Sequence, residues 1–326
     1  MAEYREVDLR MVEIYRDMLP KKLFDAHMHI YGEGTIPNFF GKVPPYQRPF
    51  ITADDYSKDL RAAIPGVELI RLNTIPTPDP CIADEPEKIR EKMISHVAKD
   101  AIKHPENVFS GYVLPTDTEE KIEEIASLGA RALKCYCYSV KTKDHNSLKI
   151  GEFLPETSFP ILEKHKIPVI IHMMRNALED EENFNYIESM AKKHPDAKIV
   201  LAHCARSFAS YTAVNNLKRL SGLDNIWIDI SAINEPASIM ASLKFSRKKT
   251  VYGTDYPVCL YRGRAFSFAD KFMWLIEDMV PKGYESAYMI TEELLAIYQS
   301  ALLLDLDATE IEDLFYNNAI KLFGVK

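Results

Sequence analysis

Residues 167–204 read IPVIIHMMRNALEDEENFNYIESMAKKHPDAKIVLAHC. An apolar, β-branched run (Ile167–Met173) leads into a polar stretch with helical spacing (Glu182–Lys193), and a second apolar run (Lys198–Cys204) closes the unit. Strand, helix and strand in that order predict a parallel βαβ crossover, because parallel neighbours need a long connection and antiparallel ones do not. Each strand of this unit ends on a histidine, His172 and His203.

The unit recurs along the chain. Further β-rich runs are Leu23–Ile30, Val67–Ile75, Val108–Leu114, Ala130–Tyr138, Asn225–Ser231 and Lys249–Asp255, which brings the candidate strands to eight. Helical segments such as Glu87–Lys103, Glu119–Leu128 and Ala209–Leu220 separate them. Eight strand–helix units predict an α/β fold of the (β/α)8, or TIM-barrel, type. The alternative, an open doubly wound sheet, has no G-x-G-x-x-G after any strand to support it. Met11, Ile14, Tyr15 and Met18 recur at helical spacing ahead of Pro20, so residues 1–20 form an added N-terminal helix. Residues 31–66 are too long and too rich in Pro and aromatics for a plain connector, and read as an ordered lid loop. The residues after Asp255 suffice for a last barrel helix and two or three more. No repeat or low-complexity tract calls for a second domain, so 1–326 is expected to be one domain.

Composition narrows the function. With 326 residues and 47% hydrophobic content the chain can bury roughly three quarters of its unfolded surface, without disulfide or metal staples. A net charge of −8 argues against nucleic-acid binding, and no apolar run reaches a membrane span of ~18 residues. The N-terminus lacks a secretory h-region, and five cysteines are an odd count, so a cytoplasmic location with free thiols is expected. Cys135 and Cys137 sit in an apolar run and read as core.

The nine histidines sort by context. His104, His165 and His194 end helical runs, His96 lies mid-helix, and His145 lies in a polar loop. His27 and His29, in LFDAHMHIYG, are two apart near the end of the first strand and so share a face. His172 and His203 close strands five and six, and Asp255 follows strand eight in VYGTDYPV. Four histidines and a carboxylate at the C-terminal ends of barrel strands, where barrel enzymes place their chemistry, predict a divalent-metal site.

D-A-H-M-H, the strand-end His172 and His203, G-T-D-Y-P around Asp255 and the closing Asn317–Gly324 segment together resemble the amidohydrolase superfamily of metal-dependent TIM-barrel enzymes. The closest likeness is to its amidohydrolase-related branch, which also holds nonoxidative decarboxylases. The resemblance implies that His27, His29, His172 and Asp255 bind one divalent ion, zinc first and manganese as the alternative. It implies that His203 sits beside the metal and polarises the substrate. Lys134 stands where some members carry a carboxylated Lys bridging two metals, a role not expected here.

The expected chemistry is a metal-activated water whose pKa falls toward ~7, with Asp255 taking and returning its proton and His203 donating to the developing oxyanion. Asp25 either orients an imidazole or is a buried structural carboxylate. Arg175, Arg206 and Arg262 near the strand ends, with Lys134, are candidate binders of an anionic small-molecule substrate, the alternative for each Arg being a structural ion pair. Tyr31, Phe39, Phe40 and Tyr46 offer a wall for a ring substrate, or simply hold the loop down. The leading expectation is hydrolysis of a C–O or C–N bond, as in a lactone or amide, of a small carboxylated substrate. The alternative is decarboxylation of an unsaturated or aromatic acid, and a non-catalytic ligand-binding barrel ranks third. A homodimer is suggested by family analogy alone.

Overall fold

The computed structural model describes residues 2–32, 48, 50–77, 82–174 and 177–326. Eight parallel strands follow one another around a barrel in chain order. They are β1 (Lys22–Ile30), β2 (Leu69–Pro76), β3 (Val108–Tyr112), β4 (Ala132–Cys135), β5 (Pro168–Ile171), β6 (Lys198–Leu201), β7 (Ile226–Asp229) and β8 (Thr250–Val251). Closure runs from β8 and the residues after it to β1. Ala26 N–H donates to Tyr252 O (2.9 Å), Asp255 N–H to His27 O (2.7 Å) and His29 N–H to Tyr256 O (2.7 Å). The fold is the (β/α)8 barrel that the strand–helix rhythm predicts. Most strands stop short of the apolar runs that announced them, because their last residues turn away to build the barrel mouth. Among the described residues no helix is long and apolar enough to cross a membrane.

The barrel floor follows from the two-residue period of a strand. Phe24, Ala132, Ile170, Val200, Trp227 and Val251, from six different strands, pack in one cluster with Leu322 and Phe323 of the last helix (Asn318–Phe323). That helix plugs the N-terminal end of the barrel. Two residues further along β4, β5, β7 and β8 stand Lys134, His172, Asp229 and Gly253, which the same period aims at the mouth.

Two stretches depart from expectation. The segment 31–66 is not purely a loop. Tyr31 bridges Ile51 in antiparallel fashion, and Ala53–Leu60 is a helix whose start is held by a Thr52–Asp55 capping box. Phe39, Phe40 and Tyr46 lie outside the described residues, while Tyr31 is buried. The tail after Asp255 opens with an antiparallel hairpin, β9 (Gly263–Phe268) and β10 (Lys271–Ile276), before the barrel helix Met289–Leu303 and the terminal helices. Gly263 permits the hairpin, because a Cβ there would meet the Leu275 carbonyl oxygen at 2.0 Å. Phe272 and Trp274 of β10 each bring a ring to within 4.9 Å of the Phe208 ring, and Phe208 stacks on His203 at 5.6 Å. The hairpin therefore backs one wall of the mouth.

Candidate active site

Two of the six mouth-forming stretches, β1 and β6, reach the interior only through a local irregularity. In β1, Phe24 and Ala26 join the inner cluster, whereas Leu23 and Met28 join the outer one. A register shift between Asp25 and Met28 turns the strand by one residue, and this brings His27 and His29 into the mouth. After β6, residues His203, Cys204, Ala205 and Arg206 all take left-handed backbone angles, with φ of 53–57°. None is glycine, so the turn carries strain of about 1–2 kcal/mol per residue. Ser207 N–H closes it on His203 O (2.9 Å). Val200 and Ala202 already face inward, and the left-handed turn adds His203 to that face.

His27, His29 and Asp255 place one potential ligand atom each within 4.8 Å of one another. Asp255 Oδ1 lies 3.2 Å from His29 Nε2 and 3.7 Å from His27 Nε2. Such separations suit donors sharing one ion, whose bonds run about 2.0–2.2 Å. Burial holds His27, His29 and His172 below the ordinary imidazole pKa, so they are neutral donors. Burial would raise the Asp255 carboxyl, but His203 and the His29 hydrogen bond outweigh it and leave it below the usual range. His29 Nδ1 is buried and has no hydrogen-bond partner among the described residues. Neutral imidazoles around an ionised carboxylate fit a divalent cation.

The other predicted residues fall into three groups. His203, His172 and Lys134 border the trio. His203 Nε2 lies 3.2 Å from His172 Nδ1, and Lys134 Nζ lies 3.2 Å from His27 Nε2. Lys134 is fully buried, and burial pushes its pKa down to about 8 against the pull of Asp229 and Asp255. Arg206 also reaches this end, with Nη1 3.3 Å from the Met173 carbonyl oxygen and Met174 Sδ.

Asp25 and Arg262 face elsewhere. The β1 register shift leaves Asp25 on the outer side, where it accepts from Thr254 N–H (3.1 Å), Thr254 Oγ1–H (2.5 Å) and His27 N–H (2.9 Å). It meets no imidazole; it binds β1 to the chain after β8, and burial raises its pKa to about 7. Arg262 donates to Asp8 (2.8 Å), Glu3 O (2.8 Å) and Ser286 O (2.9 Å), and lies 4.0 Å over the Tyr288 ring. It anchors the N-terminal helix Glu6–Tyr15 to the hairpin, so the structural ion pair is the role its contacts describe. Arg175 lies outside the described residues. The remaining histidines take ordinary partners, as with His194 on Glu163 (3.0 Å) and His165 on Glu123 (2.9 Å). Cys135 and Cys137 are buried, free thiols.

A family model described as amidohydrolase matches residues 83–325. The chain belongs to the amidohydrolase superfamily. No curated protein matches it. Solved structures similar to this chain include 5-carboxyvanillate decarboxylase from Novosphingobium aromaticivorans, complexed with manganese and 4-hydroxy-3-methoxy-5-nitrobenzoic acid. It is 13% identical, with 93% of this chain and 96% of that chain covered and a TM-score of 0.57. Another is 2,6-dihydroxybenzoate decarboxylase from Rhizobium, 15% identical, 94% and 99% covered, TM-score 0.55. A third is 4-oxalomesaconate hydratase from Rhodopseudomonas palustris, 14% identical, 93% and 95% covered, TM-score 0.56. At these identities the likeness is one of fold.

Three residues of the site went unmarked in the sequence. Asp229 hydrogen-bonds His27 Nδ1, Ser231 lies against His203, and Tyr136 Oη is 3.0 Å from His29 Nε2. Each sits on the inward period of its strand, a signal that counting histidines does not use.

Proposed function

We propose that this amidohydrolase-superfamily enzyme removes CO2 from a small conjugated or aromatic acid, with His27, His29 and Asp255 holding a divalent cation and His172 completing the set. The observation that carries this reading is Arg206. Its Nε is buried without a hydrogen-bond partner, and among the described residues no carboxylate pairs with it. A half-buried guanidinium without a counter-ion is costly, and a substrate carboxylate is the group that satisfies it. Tyr136 supports a planar substrate. Its ring packs 5.5 Å from His172 and lies in a stacked row between Tyr112 (6.0 Å) and the exposed Tyr138 (6.2 Å). Manganese and the aromatic-acid ligand in the similar 5-carboxyvanillate decarboxylase are in keeping with it. The sequence ranks hydrolysis first; the row of rings and the cation Arg206 support placing decarboxylation ahead of it.

When bound, a divalent cation supplies Lewis acidity at the three-residue cluster. The chain's own residues do the rest. Arg206 fixes the carboxylate, Tyr136 lines the ring, and Lys134 is the proton-bearing group aimed at the cluster, still mostly protonated at neutral pH. Loss of CO2 breaks a C–C bond and leaves an electron pair on carbon that takes up one proton. The second reading is hydrolysis of a lactone or amide. It is favoured by the ionised Asp255, which lies against His29 and can take a proton from an attacking water.

One assay separates them. The protein, loaded with manganese or zinc, is offered hydroxybenzoic acids, lactones and amides. Release of CO2 with a decarboxylated product is the expected outcome. A new carboxylate from a lactone or amide, without CO2, would replace the first reading by the second.

A further inference from the structure

We propose that the corner Asp229–Ile230–Ser231 at the end of β7 is a positioning device that fixes the tautomers of His27 and His203 together, and through His203 that of His172. This rests on the reading that His27 presents Nε2 to a cation.

The corner is rigid and dry. Asp229 and Ser231 are buried, and Ser231 N–H donates to Asp229 Oδ1 at 2.7 Å, which locks the carboxylate plane. The other oxygen, Oδ2, hydrogen-bonds His27 Nδ1. Next along the chain, the Ser231 carbonyl oxygen lies 3.0 Å from His203 Nδ1. Ser231 Oγ sits between the two rings, 3.0 Å from His203 Nδ1 and 3.3 Å from His27 Nδ1.

A carbonyl oxygen and a carboxylate only accept hydrogen bonds, so each Nδ1 facing them carries the proton. The geometry thus selects the Nδ1–H tautomer for both rings and turns their Nε2 atoms inward, away from the corner. For His27 that atom faces Asp255 and Lys134. For His203 it faces His172 Nδ1 at 3.2 Å, which must therefore be the N–H donor, leaving His172 with a bare Nε2 of its own. One three-residue corner thus prepares three imidazoles.

The test reads tautomers directly. In 15N-labelled, metal-free protein, long-range 1H–15N correlation distinguishes Nδ1–H from Nε2–H rings. His27, His172 and His203 are expected as Nδ1–H; an Nε2–H assignment for His27 or His203 overturns the proposal whether or not any variant folds. In Asp229→Asn the amide can present N–H to Nδ1, so His27 should move toward Nε2–H. Calorimetric affinity for Mn2+ or Zn2+ should then fall about 10- to 100-fold, with His203 still Nδ1–H on its backbone carbonyl. Unchanged His27 tautomer and unchanged affinity in this variant would also overturn it. Nδ1–H rings in a wild-type protein that binds neither ion would instead defeat the cation-site reading and leave the corner's role standing.

Discussion

Gly253 shows how little space the site allows a single residue. A Cβ at this position would lie 2.8 Å from His27 Cβ, 3.1 Å from His27 N and 3.2 Å from Asp229 Oδ1. The first two are fixed by the strand, so neither can swing aside. Gly253→Ala is expected to destabilise the fold by about 1–3 kcal/mol through overpacking, read as a lower denaturant midpoint. The same substitution should weaken divalent-ion binding, since the pressure falls on the His27–Asp229 pair. At this scale the sequence marked the chemical groups but not their supports. His27, His29, His203 and Asp255 announce themselves by residue type, whereas Asp229 ends an ordinary apolar strand and Gly253 looks like a turn residue. Asp25 went the other way: its spacing from His27 put it on the same face, and the register shift in β1 moved it off.

Individual elements in this protein accept backbone strain in two different circumstances. The left-handed turn His203–Arg206 is strained where it delivers side chains to the mouth. The helix Ser158–His165 instead ends on Lys166, at φ 56° and exposed, in the capping position that glycine favours. Among the described residues no side-chain hydrogen bond or ion pair ties Lys166 down, so Lys166→Gly should relieve the left-handed cost and stabilise the protein by about 0.5–1 kcal/mol. A rise in the thermal midpoint would support this, and a fall would show that the lysine side chain matters more than its backbone. The hairpin β9–β10 is the element least visible in the sequence. Its strands alternate, but a barrel rhythm of strand and helix directs attention to a helix at that point.

Across the whole molecule, the buried imidazoles couple stability to pH. His27, His29 and His172 are held below the ordinary value of 6.5, chiefly by burial. Between 6.5 and each depressed folded value, the unfolded chain binds more protons than the native one. Stability therefore rises with pH in that window and falls as pH drops below 6.5, by up to about 1.4 kcal/mol per pH unit for each group. Urea titrations of metal-free protein at pH 7.5, 6.5 and 5.5 should show a midpoint nearly flat over the first step and falling over the second. The Asp25 carboxyl, raised to about 7, works in the opposite sense and reduces the slope; a midpoint that rises as pH falls over the second step would mean that these rings are protonated in the native state.

What the amino-acid sequence determined is the repeating unit and the inventory. Apolar runs alternating with amphipathic helices dictate a parallel sheet covered by helices, since crossovers bury both faces of each run, and eight such units point to its closure. Histidines and an aspartate at strand ends then arrive at one mouth by topology. The tertiary structure decided which way each group points. A one-residue register shift in β1 separated Asp25 from His27, and a left-handed turn after β6 brought in His203. Contacts far apart in the chain assigned Arg262 to the N-terminal helix while leaving Arg206 unpaired among the described residues. Those outcomes depend on long-range packing and on local departures from ideal geometry, neither of which a residue period encodes.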